Sequence, residues 1–429
     1  MAEIILSKLA QNLKSVSIGK LSEEINKRNT NGTKILNFTV GDFSSKQFAI
    51  PRRLEQEIIK AYRNKITNYS PIGGRAELIS AISFHLKRLG NFNYDANQII
   101  VASGARPLIY ILFKVLVDHN EIVLYGVPSW NTQNFIYLSD TDSIAIPTTI
   151  ENNFLMTANE ISVHINKITL LIINSPSNPS GTPYTSESLE KIFEIVINEN
   201  KIRLIQHRKP VYIMLDIIYW LLDTNKSISF IKLKNEIKNY VIFIDGISKC
   251  FASTGIRVGW AFGPRNIIEK MKNMLSHVGA WSPSPEQIGV AEYLLNFKAV
   301  DLYLKNIKDK INMRLNIFYT AMYELHISGY PIDVIKSQGS IYLAVKINLI
   351  GMKTKQNQVL YNADDILYYL MDIAKIAIVP FHFFGMDKIT PWFRVAVGTC
   401  SIKEVKIAAN NMQITIKNLC ILNNIAQRN

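Results

Sequence analysis

Cysteine is scarce in this sequence: Cys250, Cys400 and Cys420 are the only three among 429 residues, far apart and without a CxxC pair. That excludes a disulfide framework and a thiolate metal site, and it points to a reducing compartment. Long apolar runs are also missing. Apolar runs such as ITLLII and YLLNF fall far short of the roughly 18 residues that a spanning helix needs. The opening MAEIILSKLAQNLKSV has no stretch suited to a signal peptide. There is no internal repeat, low-complexity tract or Pro/Gly/Ser linker. These absences predict a cytoplasmic protein with no membrane partner and no metal. Acidic residues are the scarcer charge, 34 against 48 Lys and Arg, for a net charge of +14. The lysines are scattered among Asn and Ile (NKITLLIIN, FIKLKNEIKNYVIF), whereas a nucleic-acid footprint would be a clustered patch. We therefore expect no nucleic-acid partner.

With 48% hydrophobic residues, the chain is long enough for one large core and one smaller one. Between about residues 97 and 263, short apolar runs alternate with helical stretches. The runs are QIIVAS (98–103), EIVLYG (121–126), TLLIINS (169–175), VYIMLD (211–216) and VIFIDG (241–246). PLIYILFKVLVD and SESLEKIFEIVINEN have helical spacing. The alternation predicts an α/β fold with a mostly parallel sheet flanked by helices. After residue 300 come a long helical segment, the strands IYLAVKI, AIVP and FRVAVG, and a closing helix, IKEVKIAANNMQITIKNLCIL. We read a large domain over 51–305, and a smaller α/β domain formed by residues 1–50 and 306–429. The basic stretch KIRLIQHRKP (201–210) reads as a longer surface loop.

Parallel sheets bind ligands beyond the carboxyl ends of their strands, so the residues there matter most. Gly104-Ala105-Arg106-Pro107 is a small-residue turn feeding a helix; its free N–H groups suit a phosphate, although many such turns are only tight turns. Trp130 is either core filler or a stacking plate for a flat ring. SPSNPSG (175–181) fixes a loop that presents Asn178. Asp216 ends an apolar strand, where a carboxylate is costly to bury unless paired, and Tyr219 follows three residues on. Lys249 follows VIFIDG, and burial there should depress its pKa and make it a better nucleophile. Arg257 lies eight residues further, in TGIRVGWAFGP.

In this order and spacing the motifs resemble the fold-type I pyridoxal-phosphate enzymes, in particular the class I and II aminotransferases. The resemblance runs from VGDFSS (40–45) to FRVAVG (393–398), and DGISKCFASTGIRVGWAFGP is its most specific piece. It implies that pyridoxal 5′-phosphate is held on Lys249 as a Schiff base, and that the freed amine later carries a proton between substrate and cofactor. It implies that Asp216 pairs with the pyridine nitrogen, that Tyr219 and Asn178 reach the phenolic oxygen, and that Trp130 stacks on the ring. Gly104, Ala105, Ser248 and Arg257 would hold the phosphate, with Tyr69 reaching it from the neighbouring subunit of a homodimer. Arg394 would grip the α-carboxylate of an amino acid or 2-oxo acid, assisted by the Gly41 backbone. Arg106 stands where some relatives carry a lysine for a side-chain carboxylate. It is either that group, for aspartate or glutamate, or a solvated cation at a helix start.

The sequence departs from the family pattern in three places. Ile217 replaces a glutamate, Gly246 replaces the first hydroxyl of an SxSK-type motif, and Gly41-Asp42-Phe43 replaces a GEPDF-like segment. Two rival readings keep the cofactor. One is a carbon–sulfur β-lyase on the same fold. The other is a cofactor-binding regulator, which the short segment before residue 40, without a helix-turn-helix pattern, disfavours.

Overall fold

The computed structural model describes residues 6–13, 17–228, 231 and 233–425. Thirteen strands among these residues fall into three sheets. They are β1 (Leu36–Asn37), β2 (Ile99–Ala102), β3 (Ile122–Val127), β4 (Asp142–Pro147), β5 (Ile168–Asn174), β6 (Tyr212–Asp216), β7 (Val241–Gly246), β8 (Gly259–Phe262), β9 (Ile332–Ile335), β10 (Tyr342–Ile347), β11 (Ile376–Ala377), β12 (Val379–Pro380) and β13 (Trp392–Ala396). The seven-stranded sheet runs β2-β8-β7-β6-β5-β3-β4, and β8 alone is antiparallel to its neighbours.

β5, β6 and β7 are Ile/Val/Leu-rich because both faces of the sheet are covered. Successive side chains alternate between two cores: Leu170, Ile172, Met214, Ile242 and Ile244 pack in one. Leu171, Ile173, Ile213, Leu215 and Phe243 pack in the other. Each such fully buried side chain contributes roughly 1.5–3 kcal/mol. The helix Ala105–Leu116 covers the first face. The helix Ser186–Ile205, capped by Thr185 accepting from Ser188 N, covers the second.

Two features differ from the sequence-based expectation. β4 was not foreseen: it is an edge strand whose residues are mostly exposed, so it lacks an apolar run. The stretch 201–210 is not a long loop, since Lys201–Ile205 completes the helix. A buried Glu199–Arg203 ion pair one turn apart (2.7 Å) holds it, and Arg203 also donates to the carbonyls of Lys209 and Ile165. Only the residues after Ile205 form the turn.

The antiparallel sheet β12-β13-β10-β9 stands apart from the large one. β1 pairs in parallel with β11, and Ala396 N donates to Phe38 O, so the N-terminal segment joins this region. The helix Phe297–Ile327 packs against β9 and β10 and against the closing helix Ile402–Leu422, which starts at a Ser401/Glu404 capping box. Among the described residues no helix is long and apolar enough to cross a membrane. No cluster of His, Cys, Asp and Glu there could hold a metal.

Candidate active site

Three strand ends of the large sheet converge on one cleft. β5 and β6 are in register at Asn174 and Asp216. Asn174 Oδ1 accepts from Asn178 N (2.8 Å), and Ser175 N donates to Asp216 O, which folds the SPSNPSG loop back over the sheet. Asn174, Asn178, Asp216 and Trp130 all line the cleft, together with Ser129, Phe154 and Met156. Asp216 accepts from Ile218 N (3.1 Å). Burial pushes its carboxyl up to about 6, against the pull of the Ile218 hydrogen bond and the Lys249 charge.

Lys249 sits just beyond β7 and donates to Gly41 O at 2.5 Å. Burial lowers its amine to about 8; Asp42 opposes the shift, while Arg394, Arg106 and Arg257 add to it. A carboxyl displaced upwards beside an amine displaced downwards is the arrangement expected where protons are moved.

The turn before the Ala105–Leu116 helix is shaped for an anion. Gly104 has φ +87°, and a Cβ there would stand 2.3 Å from Arg257 Nη2, so the glycine lets the guanidinium lie against the turn. Arg257 is fixed by donating to Thr254 O (2.6 Å) and Ser103 O (3.1 Å). The guanidinium of Arg106 lies 4.8 Å from the centre of the Trp130 ring.

The small sheet supplies the other wall. Arg394, in the middle of β13, is 1% exposed. Nη1 donates to Asn178 Oδ1 (2.8 Å) and Nη2 to Thr39 O (2.5 Å), while the buried Nε has no partner. A planar fork with an orphaned buried donor suits a carboxylate ligand. Tyr342, the first residue of β10, carries Arg394 on its ring face at 4.5 Å. Its hydroxyl lies 2.7 Å from that of Tyr219 and accepts from Asn178 Nδ2 at 3.3 Å. Gly41 is a glycine for this reason: a Cβ would fall 2.3 Å from the Tyr342 hydroxyl.

Gly41, Asn178, Asp216, Tyr219, Lys249 and Arg394 thus form one connected network, with Gly104, Ala105, Trp130, Arg106 and Arg257 at the adjoining turn. Ser248 precedes Lys249 and is half-buried. Tyr69 is outside the network: it is 88% exposed and meets Trp281 edge-on at 5.5 Å. Trp281 belongs to the 280–282 loop, where Ala280 O accepts from Ser103 N and Ser282 Oγ donates to Arg257 O. The missing hydroxyl at Gly246 has a steric cause, because a Cβ would stand 2.9 Å from the backbone of Val258 and Gly259.

Sequence reasoning missed Tyr342 and gave no role to Asp42. Asp42 Oδ1 accepts from Thr254 Oγ1 (2.7 Å) and its charge acts on Lys249. A cationic turn, an indole, a buried carboxylate and an amine of lowered pKa lie together here, and this set fits pyridoxal phosphate.

Comparison with known proteins identifies the family and the fold. The sequence profile of the family described as aminotransferase class I and II matches residues 33–412. The chain is 30% identical over 378 residues to a probable aspartate/prephenate aminotransferase of Rickettsia conorii, covering 86% of this chain and 88% of that one. It is 29% identical to an aspartate aminotransferase of Bacillus subtilis over 342 residues, covering 79% and 82%. The fold superposes on the aspartate aminotransferase of Rhizobium meliloti with a TM-score of 0.87 at 22% identity, covering 97% of this chain and all of that one. The chain belongs to the class I and II aminotransferases, fold-type I enzymes that generally depend on pyridoxal phosphate.

Proposed function

We propose that Lys249, Asp216 and Tyr219 carry the transamination chemistry, and that the amino donor is dicarboxylic, aspartate or glutamate. The observation that carries the reading is the opposed displacement of two neighbouring groups beyond adjacent strands, Lys249 down to about 8 and Asp216 up to about 6. Pyridoxal phosphate, when bound, supplies an electron sink for the pair left on a substrate Cα. Gly104, Ala105, Ser248 and Arg257 would hold its phosphate, Trp130 its ring face, and Asn178 and Tyr219 its phenolic oxygen. Asp216 would keep a proton on the ring nitrogen, and that pairing would offset the cost of its own burial. Lys249 would take the proton from the substrate Cα and deliver it to the cofactor's C4′ carbon, a task suited to an amine of pKa about 8 near neutral pH. Arg394 orients the substrate through its carboxylate, assisted by the Gly41 backbone.

The dicarboxylic preference rests on Arg106, a second guanidinium at the same cleft, and accords with the names of the relatives. Exposed Tyr69 beside the phosphate turn supports a homodimer in which it reaches the partner's phosphate site. Three free, buried cysteines support a reducing, cytoplasmic setting. We also take 51–305 as one domain and 1–50 with 306–429 as the other, the cleft lying between them.

The test is to titrate the purified, cofactor-loaded protein with aspartate, glutamate, alanine and phenylalanine. Aspartate or glutamate should bleach the cofactor's near-visible absorbance at the lowest concentration. Arg106→Gln should raise that concentration about tenfold, the loss of one charged hydrogen bond, and leave alanine unchanged. A persistent band with release of ammonia and pyruvate would replace this reading with the β-lyase. No band even with added cofactor would defeat the Lys249 assignment.

A further inference from the structure

Arg394, Asn178, Tyr342 and Tyr219 form a chain of hydrogen bonds whose direction is fixed at one end. A guanidinium has only donors, so Nη1 donates to Asn178 Oδ1 (2.8 Å). That leaves the Asn178 amide nitrogen to donate to the Tyr342 oxygen (3.3 Å). The Tyr342 and Tyr219 hydroxyls lie 2.7 Å apart and either can donate to the other; once a ligand oxygen accepts from Tyr219, Tyr342 becomes the donor between them. In that state the Tyr219 proton points to the ligand and the Tyr342 proton to the Tyr219 oxygen. All four side chains are buried: Arg394 and Tyr342 are 1% exposed, Tyr219 3% and Asn178 7%. Low dielectric and aligned polarity strengthen such a chain along its length.

We propose that Tyr342 is a positioning residue that fixes Tyr219 as a donor to the cofactor's phenolic oxygen and links that donor to the carboxylate-binding Arg394. The proposal rests on the functional reading above. Tyr342 lies on β10 of the small sheet, whereas Tyr219 and Asn178 follow strands of the large one, so its hydroxyl ties the two walls of the cleft together. Without it the Tyr219 hydroxyl loses its only donor and can rotate away from the ligand. Packing alone does not account for the hydroxyl, since a phenylalanine ring would carry Arg394 on its face equally well. The residue acts through Tyr219.

A donor at the phenolic oxygen makes the bound chromophore's proton easier to lose. Tyr342→Phe should therefore move the pH midpoint of the cofactor absorbance upward, by about half a unit to one unit, the size of one net hydrogen bond. The decisive form is a double-mutant cycle in the cofactor-loaded protein, comparing Tyr342→Phe in the native and Tyr219→Phe backgrounds. The shift should be present in the first and absent in the second. An unchanged midpoint in the first, or an equal shift in both, would overturn the proposal. Should Tyr342→Phe not fold, 3-fluorotyrosine at position 342, a stronger donor of the same shape, should lower the midpoint; no movement would be equally fatal. These failures are distinct from failure of the functional reading, which would show as no cofactor band in the unmutated protein.

Discussion

The residues beyond β5, β6 and β7 and those within β10 and β13 face the same cleft, but they are held by different means. On the large-sheet side, Lys249, Asp216 and the Gly104 turn sit at strand ends, half-buried or on the backbone, where a free valence is natural. On the small-sheet side, Arg394 and Tyr342 are built into strands whose residues are almost all buried, and hydrogen bonds to Asn178, Thr39 and Tyr219 hold their polar atoms. The first arrangement leaves groups available to be titrated and attacked. The second gives a rigid cation that can orient a ligand but cannot readily give up its charge, even though burial lowers its pKa. On the reading proposed above, the large-sheet side would be tuned through pKa and the small-sheet side through geometry.

Arg394→Lys sharpens that contrast most. It keeps the charge but loses the planar fork, and kcat/KM for the amino donor should fall roughly 30-fold, about 2 kcal/mol for charge-assisted hydrogen bonds. Steady-state kinetics would read this, while the cofactor's affinity should change far less and its absorbance midpoint should move by no more than in Tyr342→Phe. A loss of cofactor binding of the same size would mean that the two sides are not separable. A smaller effect concerns Lys249 alone. Its depressed pKa means that the neutral, nucleophilic fraction grows as pH rises through about 8. The rate of cofactor capture by the cofactor-free protein should climb several-fold from pH 7 to 9 and then level. Stopped-flow absorbance would show this, and a midpoint above 10 would place the lysine in water.

The same contrast explains what the sequence made legible. Lys249, Asp216 and Asn178 each follow an apolar run, and the end of a parallel strand is where a polar group has least structural reason to be. Arg394 was reached only through the family resemblance, because WFRVA otherwise reads as a core strand. Tyr342 was missed because IYLAVKI shows only an apolar strand, and nothing local reveals that Tyr219, 123 residues earlier, meets its hydroxyl. The parallel strands were visible as β-branched runs, whereas β4 was hidden by its exposed edge. The helical character of 201–205 depends on the buried Glu199–Arg203 pair, and such a pair cannot be told from surface charges in a sequence.

The central claim is that Lys249 holds the cofactor. Loading the protein with pyridoxal phosphate, reducing it with borohydride and mapping the labelled peptide by mass spectrometry tests this most directly. The account predicts one label per chain, on Lys249, with yield lost in Lys249→Ala. A label on any other lysine, or none on a protein that binds the cofactor, would contradict it.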